Sequence, residues 1–231
     1  AELARYVSQH FDPDNDLVVS QGPTDVLDHS CSSMAFGGKI GIDGTTKWPQ
    51  ELRGAKQLPV NTTTNQPTLE ALQADHPELT ALNTELLDKG ISLVIATLKK
   101  SQKGQVKKLT KQLFARPDFA NVKVLIWLDA ETPIDHIGDA VWRFSNNTDV
   151  KRDMTRIEAD TDEELGHVAF DGTRKTEALD GFTRDWPNIL VSKPETIAHI
   201  DEIWDTLGLG DFLPSPTHRY SSQMYGEGAV A

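Results

Sequence analysis

The chain has 231 residues, of which 38% are hydrophobic and 25% charged, enough to bury one or two ordinary globular cores. Its net charge of −12 excludes the basic footprint of a nucleic-acid surface, and no apolar run approaches the roughly 20 residues of a membrane span. The single Cys31 excludes an intrachain disulfide and, with no secretory signal, places the protein in a reducing cytoplasm.

In chain order, Glu2 to His10 reads as the middle of an uncapped helix, as if a longer protein had been cut there. Asp12-Pro-Asp-Asn-Asp16 follows. A calcium loop needs Gly at its sixth position and Glu at its twelfth, and this one has Leu17 and Pro23, so a turn leading to a strand at Leu17 to Val19 is expected. Gly22-Pro-Thr-Asp-Val-Leu-Asp-His29 precedes a glycine-rich run, Phe36 to Pro49, whose spacing matches no phosphate-binding loop. The polar, threonine-rich stretch up to Pro67 reads as a linker, and the sequons at Asn61 and Asn146 as chance. Leu69 and Leu72 mark a short helix; Leu79, Leu82, Leu86 and Leu87 mark a second one, ending at Gly90.

The centre of the chain runs from Gly90 to Met154. Ile91 to Thr97 is a β-branched apolar run expected as a buried strand. Val106, Leu109, Leu113 and Phe114 recur at helical spacing among lysines that are read as a solvated face. Arg116-Pro117-Asp118 stops that helix, because proline disfavours the α conformation in the residue before it. Val122 to Leu128 is a second buried strand ending in Asp129, and Asp135 to Phe144 a second helix with Ile137, Val141 and Phe144 inward. This order predicts a parallel βαβ unit with a right-handed crossover. The fold class expected is α/β, a three-layer α/β/α domain with a mostly parallel sheet.

Two sequence echoes cross this centre. Thr148-Asp-Val-Lys-Arg-Asp153 repeats Phe11-Asp-Pro-Asp-Asn-Asp16 at an offset of 137, and Phe170-Asp-Gly-Thr-Arg-Lys175 repeats Ile42-Asp-Gly-Thr-Thr-Lys47 at an offset of 128. Near the end, Ile197, Ile200, Ile203, Trp204 and Leu207 form one stripe of a helix from Glu195, with His199 beside it in a structural or solvent-facing role. The tail from Asp211 is aperiodic. Either it is loosely held, or Phe212, Tyr220 and Tyr225 latch it to a neighbouring subunit.

Several of these stretches, taken in order, resemble the C-terminal domain of the UbiD family of aromatic-acid decarboxylases. They are Thr97-Leu98-Lys99-Lys100 after a strand, Lys123-Val-Leu-Ile-Trp-Leu-Asp129, Val141-Trp142 on a helix, and the Asp149 to Asp153 turn. The most specific is the Asp25-Val-Leu-Asp-His29 segment followed by Gly38-Lys-Ile-Gly-Ile-Asp-Gly-Thr-Thr-Lys-Trp-Pro49, although Gly44 stands where relatives usually have alanine. Thr183-Arg-Asp-Trp-Pro187 and the closing Ala198-His-Ile-Asp-Glu-Ile-Trp204 helix are similar too. The resemblance divides the chain into the tail of a first UbiD C-terminal-type repeat (1–51), a linker with short helices (52–89), a second domain of that type (90–210) and an extended tail (211–231).

UbiD relatives decarboxylate aromatic or unsaturated acids with prenylated flavin mononucleotide, the electron sink that protein side chains cannot supply. By this resemblance the catalytic Glu-Arg-Glu set and the divalent-metal ligands belong to modules upstream of such a domain, and none can be placed here. The segment alone is therefore expected to be inactive, shaping an active-site wall and an oligomer. One cofactor contact is carried over, Arg116, whose guanidinium suits a phosphate; an ordinary exposed helix-end arginine is the competing reading. Gly22, Pro23 and Thr24 are carried over as a substrate-facing loop, whereas Asp28 and His29 are read as packing or turn residues. The implied substrate is an aromatic acid, such as a polyprenylated quinone precursor, which could draw the protein to a membrane surface. The implied partners are the upstream modules and further copies of the chain. The alternative is a non-catalytic assembly module derived from a duplicated domain.

Overall fold

A computed structural model describes residues 2–51, 66–161 and 164–225, in two compact units, 1–186 and 187–231. Most of the predicted linker, 52–65 with its sequon at Asn61, lies outside the described residues. The first unit contains, in chain order, α1 (Glu2–His10), β1 (Leu17–Pro23), β2 (Phe36–Ile42), α2 (Leu69–Gln73), β3 (Leu79–Asn83), α3 (Glu85–Asp88) and β4 (Leu93–Leu98). It continues with α4 (Gln105–Phe114), β5 (Val124–Asp129), α5 (Ile137–Asn147), α6 (Val150–Asp153), β6 (Met154–Ile157), β7 (His167–Asp171) and α7 (Glu177–Asp180).

β4 and β5 pair in parallel, from Leu93 opposite Val124 to Leu98 opposite Asp129, with α4 as the crossover. β5 also pairs in parallel with β7, and antiparallel edges complete a sheet of order β3-β4-β5-β7-β6. The central strands carry apolar side chains on both faces, so both faces require a helical cover. Val94, Ala96, Leu98, Leu125 and Trp127 meet Val106, Leu109, Leu113 and Phe114 of α4 on one side. Ile95, Ile126 and Leu128 meet Ile134, Ile137, Ala140 and Phe144 of α5 on the other. Three layers result. The fully buried Trp127 donates its indole N–H to Thr110 Oγ1 at 2.8 Å, which leaves no polar atom of the ring unpaired.

The expectations for residues 79–90 and for the inward face of α5 are corrected. Residues 79–83 form a strand on the edge of β4, and only Glu85–Asp88 is helical. A register shift between Leu79 and Ala81 lets Leu79 and Leu82 both face α4, so a bulged strand imitates helical spacing. On α5, Val141 is 49% exposed and Ala140 takes the inward place between Ile137 and Phe144. Steps of three and four are both helical, and the polar Arg143 and Asn147 are buried on this face. Asn147 is paid off there by donating Nδ2–H to the carbonyl of Gly172 at 2.9 Å.

β1 and β2 form a separate antiparallel hairpin, running from Leu17 opposite Ile42 to Pro23 opposite Phe36. At the echoed positions the hydrogen bonds repeat. The Asp12 and Asp149 N–H groups donate to Asp16 Oδ2 (2.7 Å) and Asp153 Oδ2 (2.9 Å). The Asp16 and Asp153 N–H groups return to the carbonyls of Asp12 and Asp149 at 2.9 and 2.8 Å. Lys47 Nζ lies 3.1 and 2.9 Å from Asp16 and Asp43, while Lys175 Nζ lies 3.5 and 3.2 Å from Asp153 and Asp171.

In the second unit α8 (Pro194–Ile203), started by a proline at its first position, buries Ile197 and leaves His199 exposed. The expected continuation to Leu207 is a 3-10 turn, Trp204–Thr206. Trp204 meets Phe212 edge-on at 5.6 Å, and Tyr225 exchanges two 2.9 Å hydrogen bonds with Asn188, so these two tail aromatics fold onto their own unit. Among the described residues no helix is long and apolar enough to cross a membrane.

Candidate functional site

Parallel strands end on the same side, which is where α/β sheets generally place their polar chemistry. Here β4 leads into Lys100, β5 ends in Asp129 and β7 ends in Asp171. Lys100 Nζ donates to Thr173 Oγ1 (2.9 Å), the carbonyl of Arg174 (2.8 Å) and both carboxylate oxygens of Asp180 (2.9 and 3.0 Å). The Asp129 carboxylate accepts the Arg174 N–H at 2.9 and 3.2 Å. Lys175 donates to the carbonyls of Asp171 and Thr173 at 2.7 Å each, and Arg152 binds Asp153 at 2.6 and 2.8 Å. Burial raises the Asp153 pKa even against the opposing pull of Lys175 and Arg152. Burial also acts to raise Asp171, but Lys175, Lys100 and the Thr173 hydroxyl outweigh it, and the net direction is down.

The loop between β1 and β2 packs beside this network. Arg152 Nη1 donates to the carbonyl of Ser30 at 2.5 Å, and Arg184 Nη1 to those of Cys31 (2.7 Å) and Asp28 (3.2 Å). Gly38 N–H donates to Asp149 Oδ1 at 3.0 Å. The approach is close enough that a Cβ on Gly38 would lie 2.5 Å from the backbone nitrogen of Lys151. Within the loop, Asp28 accepts from Ser30 N–H (2.9 Å), Ser30 Oγ–H (2.7 Å) and the Cys31 thiol (3.2 Å). Burial acts to raise the Asp28 pKa, but these donors bring it below the usual carboxylate value. Burial pushes the Cys31 thiol up, and Asp28 and Asp149 add to that, so it stays protonated and a poor nucleophile. Burial lowers His29, which sits edge-on to Trp186 at 4.8 Å, with Asn147 and Asp28 opposing. Asp28 and Cys31 are spent on each other and on neighbouring donors, which makes a lock rather than a proton-transfer pair, while His29 is held by its ring contact with Trp186.

The residues expected at a site are not brought together. Gly22 and Pro23 are strand residues of β1, opposite Gly37 and Phe36; Thr24 follows, its hydroxyl 3.5 Å from the Cys31 sulfur. Arg116 lies beyond the C-terminus of α4, at the end of the sheet where β5 begins, away from that loop. Its guanidinium donates twice to Asp118 at 3.0 Å and once to Asp75 at 3.3 Å. These carboxylates, Asp118 first, hold its pKa up and would repel a phosphate, so its surroundings do not fit a flavin phosphate. Among the described residues no group of three or more His, Cys, Asp or Glu side chains is placed to hold a metal. Sequence reasoning missed Arg152, Arg184 and Lys100 as lock residues. Lys175 carried a signal, its match to Lys47.

Residues 1–44 and 60–174 match the model of the 3-octaprenyl-4-hydroxybenzoate carboxy-lyase C-terminal domain (UbiD_C). Among similar curated proteins, an uncharacterised protein of Archaeoglobus fulgidus is 24% identical over 149 residues, 60% of this chain and 31% of that protein. One from Helicobacter pylori is 26% identical over 200 residues, 86% of this chain and 29% of that protein. The chain thus spans about three tenths of the length of these relatives. Among solved structures, the closed form of vanillic acid decarboxylase from Sedimentibacter hydroxybenzoicus matches at 18% identity and a TM-score of 0.47, covering 62% of this chain and 31% of that one. The UbiD-class enzyme HmfF from Pelotomaculum thermopropionicum, in complex with prFMN, matches at 16% identity and a TM-score of 0.42, covering 63% and 28%.

Proposed function

The chain belongs to the 3-octaprenyl-4-hydroxybenzoate carboxy-lyase C-terminal domain family, and from that membership we propose that it is the rear, non-catalytic portion of a UbiD-type carboxy-lyase. The observation that carries the non-catalytic part is the lock at the strand ends. Lys100, Lys175 and Arg152 each face carboxylates and backbone carbonyls, and Asp129, Asp153 and Asp171 accept in turn. Such a site holds a wall in place. In this reading the intact enzyme decarboxylates an aromatic acid, such as a quinone precursor, in the cytoplasm as a homo-oligomer. Prenylated flavin and a divalent metal are bound by other modules, and no step runs through the residues described here. Gly22, Pro23 and Thr24, at the exit of β1, are the proposed substrate-facing positions; a cofactor contact by Arg116 would require Asp118 and Asp75 to let go of it.

The matching hydrogen bonds at 12–16 and 149–153, and at 43–47 and 171–175, favour a duplication, with α1, β1 and β2 as the tail of a first repeat. They also keep the second reading alive, an assembly module with no part in turnover. The test is CO₂ release from a panel of aromatic acids by the whole gene product loaded with prenylated flavin, with and without a swap of residues 22–24. Turnover that changes substrate preference on the swap supports the wall. Turnover indifferent to the swap favours assembly, and no CO₂ from any acid would overturn the carboxy-lyase reading.

A further inference from the structure

The two echoed segments contact each other reciprocally. The 149–153 turn presses on Gly38 of β2, and Asp14 of the 12–16 turn presses on Gly166 beside β7, which occupies the equivalent place at the offset of 128. Val7, Leu17 and Ile40 share one apolar cluster with Phe144, Met154 and Val168, their own counterparts. The contact is therefore self-complementary in the manner of a two-fold interface. One difference breaks the match. The outer edge of β7 is covered by β5: Val168 N–H donates to the carbonyl of Lys123 and Gly172 N–H to that of Trp127, both at 2.9 Å. The equivalent edge of β2 has no partner strand among the described residues. Hydrogen bonds alternate along an antiparallel pair, and Asp43 N–H donates to Asp16, so the N–H groups of Ile40 and Ile42 point to that open edge. Ile42 is 52% exposed, whereas its counterpart Phe170 is 6% exposed.

A second contact is equally one-sided. Lys123, at the start of β5, donates to the carbonyl of Phe11 at 2.7 Å and to that of Ser8 at 2.5 Å, closing the C-terminal end of α1. The Ser8 hydroxyl accepts the N–H of Ser92 at 2.8 Å. The counterparts of Ser8 and Phe11 are Ser145 and Thr148 at the end of α5, where Ser145 is exposed and Thr148 Oγ1 is buried without a partner. We propose that the open edge of β2 and the C-terminal end of α5 form one docking surface for a parallel strand of an α/β unit. The occupant is apolar, begins with a lysine that reaches the carbonyls of Ser145 and Thr148, and ends in a carboxylate that meets the Thr46 N–H, as Asp129 meets that of Arg174. This rests on the duplication proposed above and is independent of whether the whole protein releases CO₂.

The probe is a synthetic peptide with the sequence of residues 121–129, flanked by lysines for solubility, added to the ¹⁵N-labelled 231-residue chain. At saturation, amide exchange of Ile40 and Ile42 slows by about tenfold or more, while Lys39 and Gly41, already bonded to β1, stay as they were. A peptide with methionine in place of the lysine at its third position binds about tenfold more weakly, as loss of a charged hydrogen-bond donor requires. Unchanged exchange at Ile40 and Ile42, equal slowing by a shuffled peptide, or protection confined to another sheet edge would each overturn the proposal. A CO₂-releasing parent enzyme alongside any of these results would leave the carboxy-lyase reading intact and remove only the docking surface.

Discussion

Replacing Lys175 by methionine tests whether the strand-end network is a buried lock. Its side chain and that of Asp153 are each 2% exposed, 3.5 Å apart, and Asp171 is 3.2 Å from the same ammonium. Methionine fills similar volume but leaves two carboxylates facing each other with only Arg152 and Lys100 nearby. Breaking a buried pair from one side costs about 3–5 kcal/mol, because the remaining charge stays desolvated. At Lys47 the same replacement leaves Asp43, half exposed, to rehydrate but orphans the buried Asp16 carboxylate, 7% exposed. One buried charge is stranded instead of two, and the cost falls to about 2 kcal/mol. Urea unfolding followed by tryptophan fluorescence, with the buried Trp127 as reporter, measures both. Adding Asp171→Asn to Lys175→Met removes one orphaned charge while an amide oxygen still accepts from the Thr173 N–H and Asp153 keeps Arg152, and should restore about half of the loss. If Lys175→Met cost no more than Lys47→Met, the network would not be a buried lock and the argument from compensated charges would fail.

Burial of Lys123 gives a pH signature. Its pKa is lowered to about 8 by burial, with Asp12 and Asp16 pulling upward. Below about 8 both folded and unfolded chains hold the proton; between there and about 10.4 only the unfolded chain does, so this lysine makes stability rise with pH across that window, by at most about 3 kcal/mol. Cys31, raised by burial, acts in the opposite sense above its ordinary value. The check is therefore the difference between wild type and Lys123→Met as pH increases, and a flat difference refutes it. Gly38→Ala would put a Cβ 2.5 Å from the Lys151 nitrogen, a backbone atom. It should cost about 1–3 kcal/mol and loosen the β1–β2 hairpin first, seen as faster amide exchange at Val18 and Lys39 than at Ile95. Arg116→Ala should cost about 1–2 kcal/mol, since Asp75 is solvated but Asp118, which takes two of its hydrogen bonds, is only 13% exposed. A larger loss in a thermal melt would assign it a packing role.

The parallel centre could be read in advance because β4 and β5 are apolar on both faces and are closed by polar residues, a pattern that few other structures produce. α4 was legible for a related reason, its lysines leaving one apolar stripe. β3 was not, because its bulge shifts the side-chain period and a strand then carries leucines at helical spacing. The inward face of α5 was blurred by Arg143 and Asn147, whose burial depends on partners that no local period reveals. The lock is harder still. Arg152 meets Ser30, and Arg184 meets Cys31, across more than 120 residues of chain. Only the echoed Asp-Gly-Thr-x-Lys segments announced part of it, since repeated spacing of an acid and a base four residues apart forces the same turn.

The same charges decide what the chain can contribute to a reaction. A group that moves protons must change charge near neutral pH and reach solvent or substrate. Lys100 and Lys175 instead donate to several acceptors each, and Cys31 is held protonated while Asp28 is held ionised. The loop carrying Asp28 and Cys31 has its backbone carbonyls clasped by two arginines from the later segment, so the position of the β1 exit is set by residues 149–184. Loss of Arg184 should accordingly alter the geometry of residues 22–31 without touching the sheet. In the proposed reading, that is how this chain would influence a neighbouring active site, through the placement of a wall.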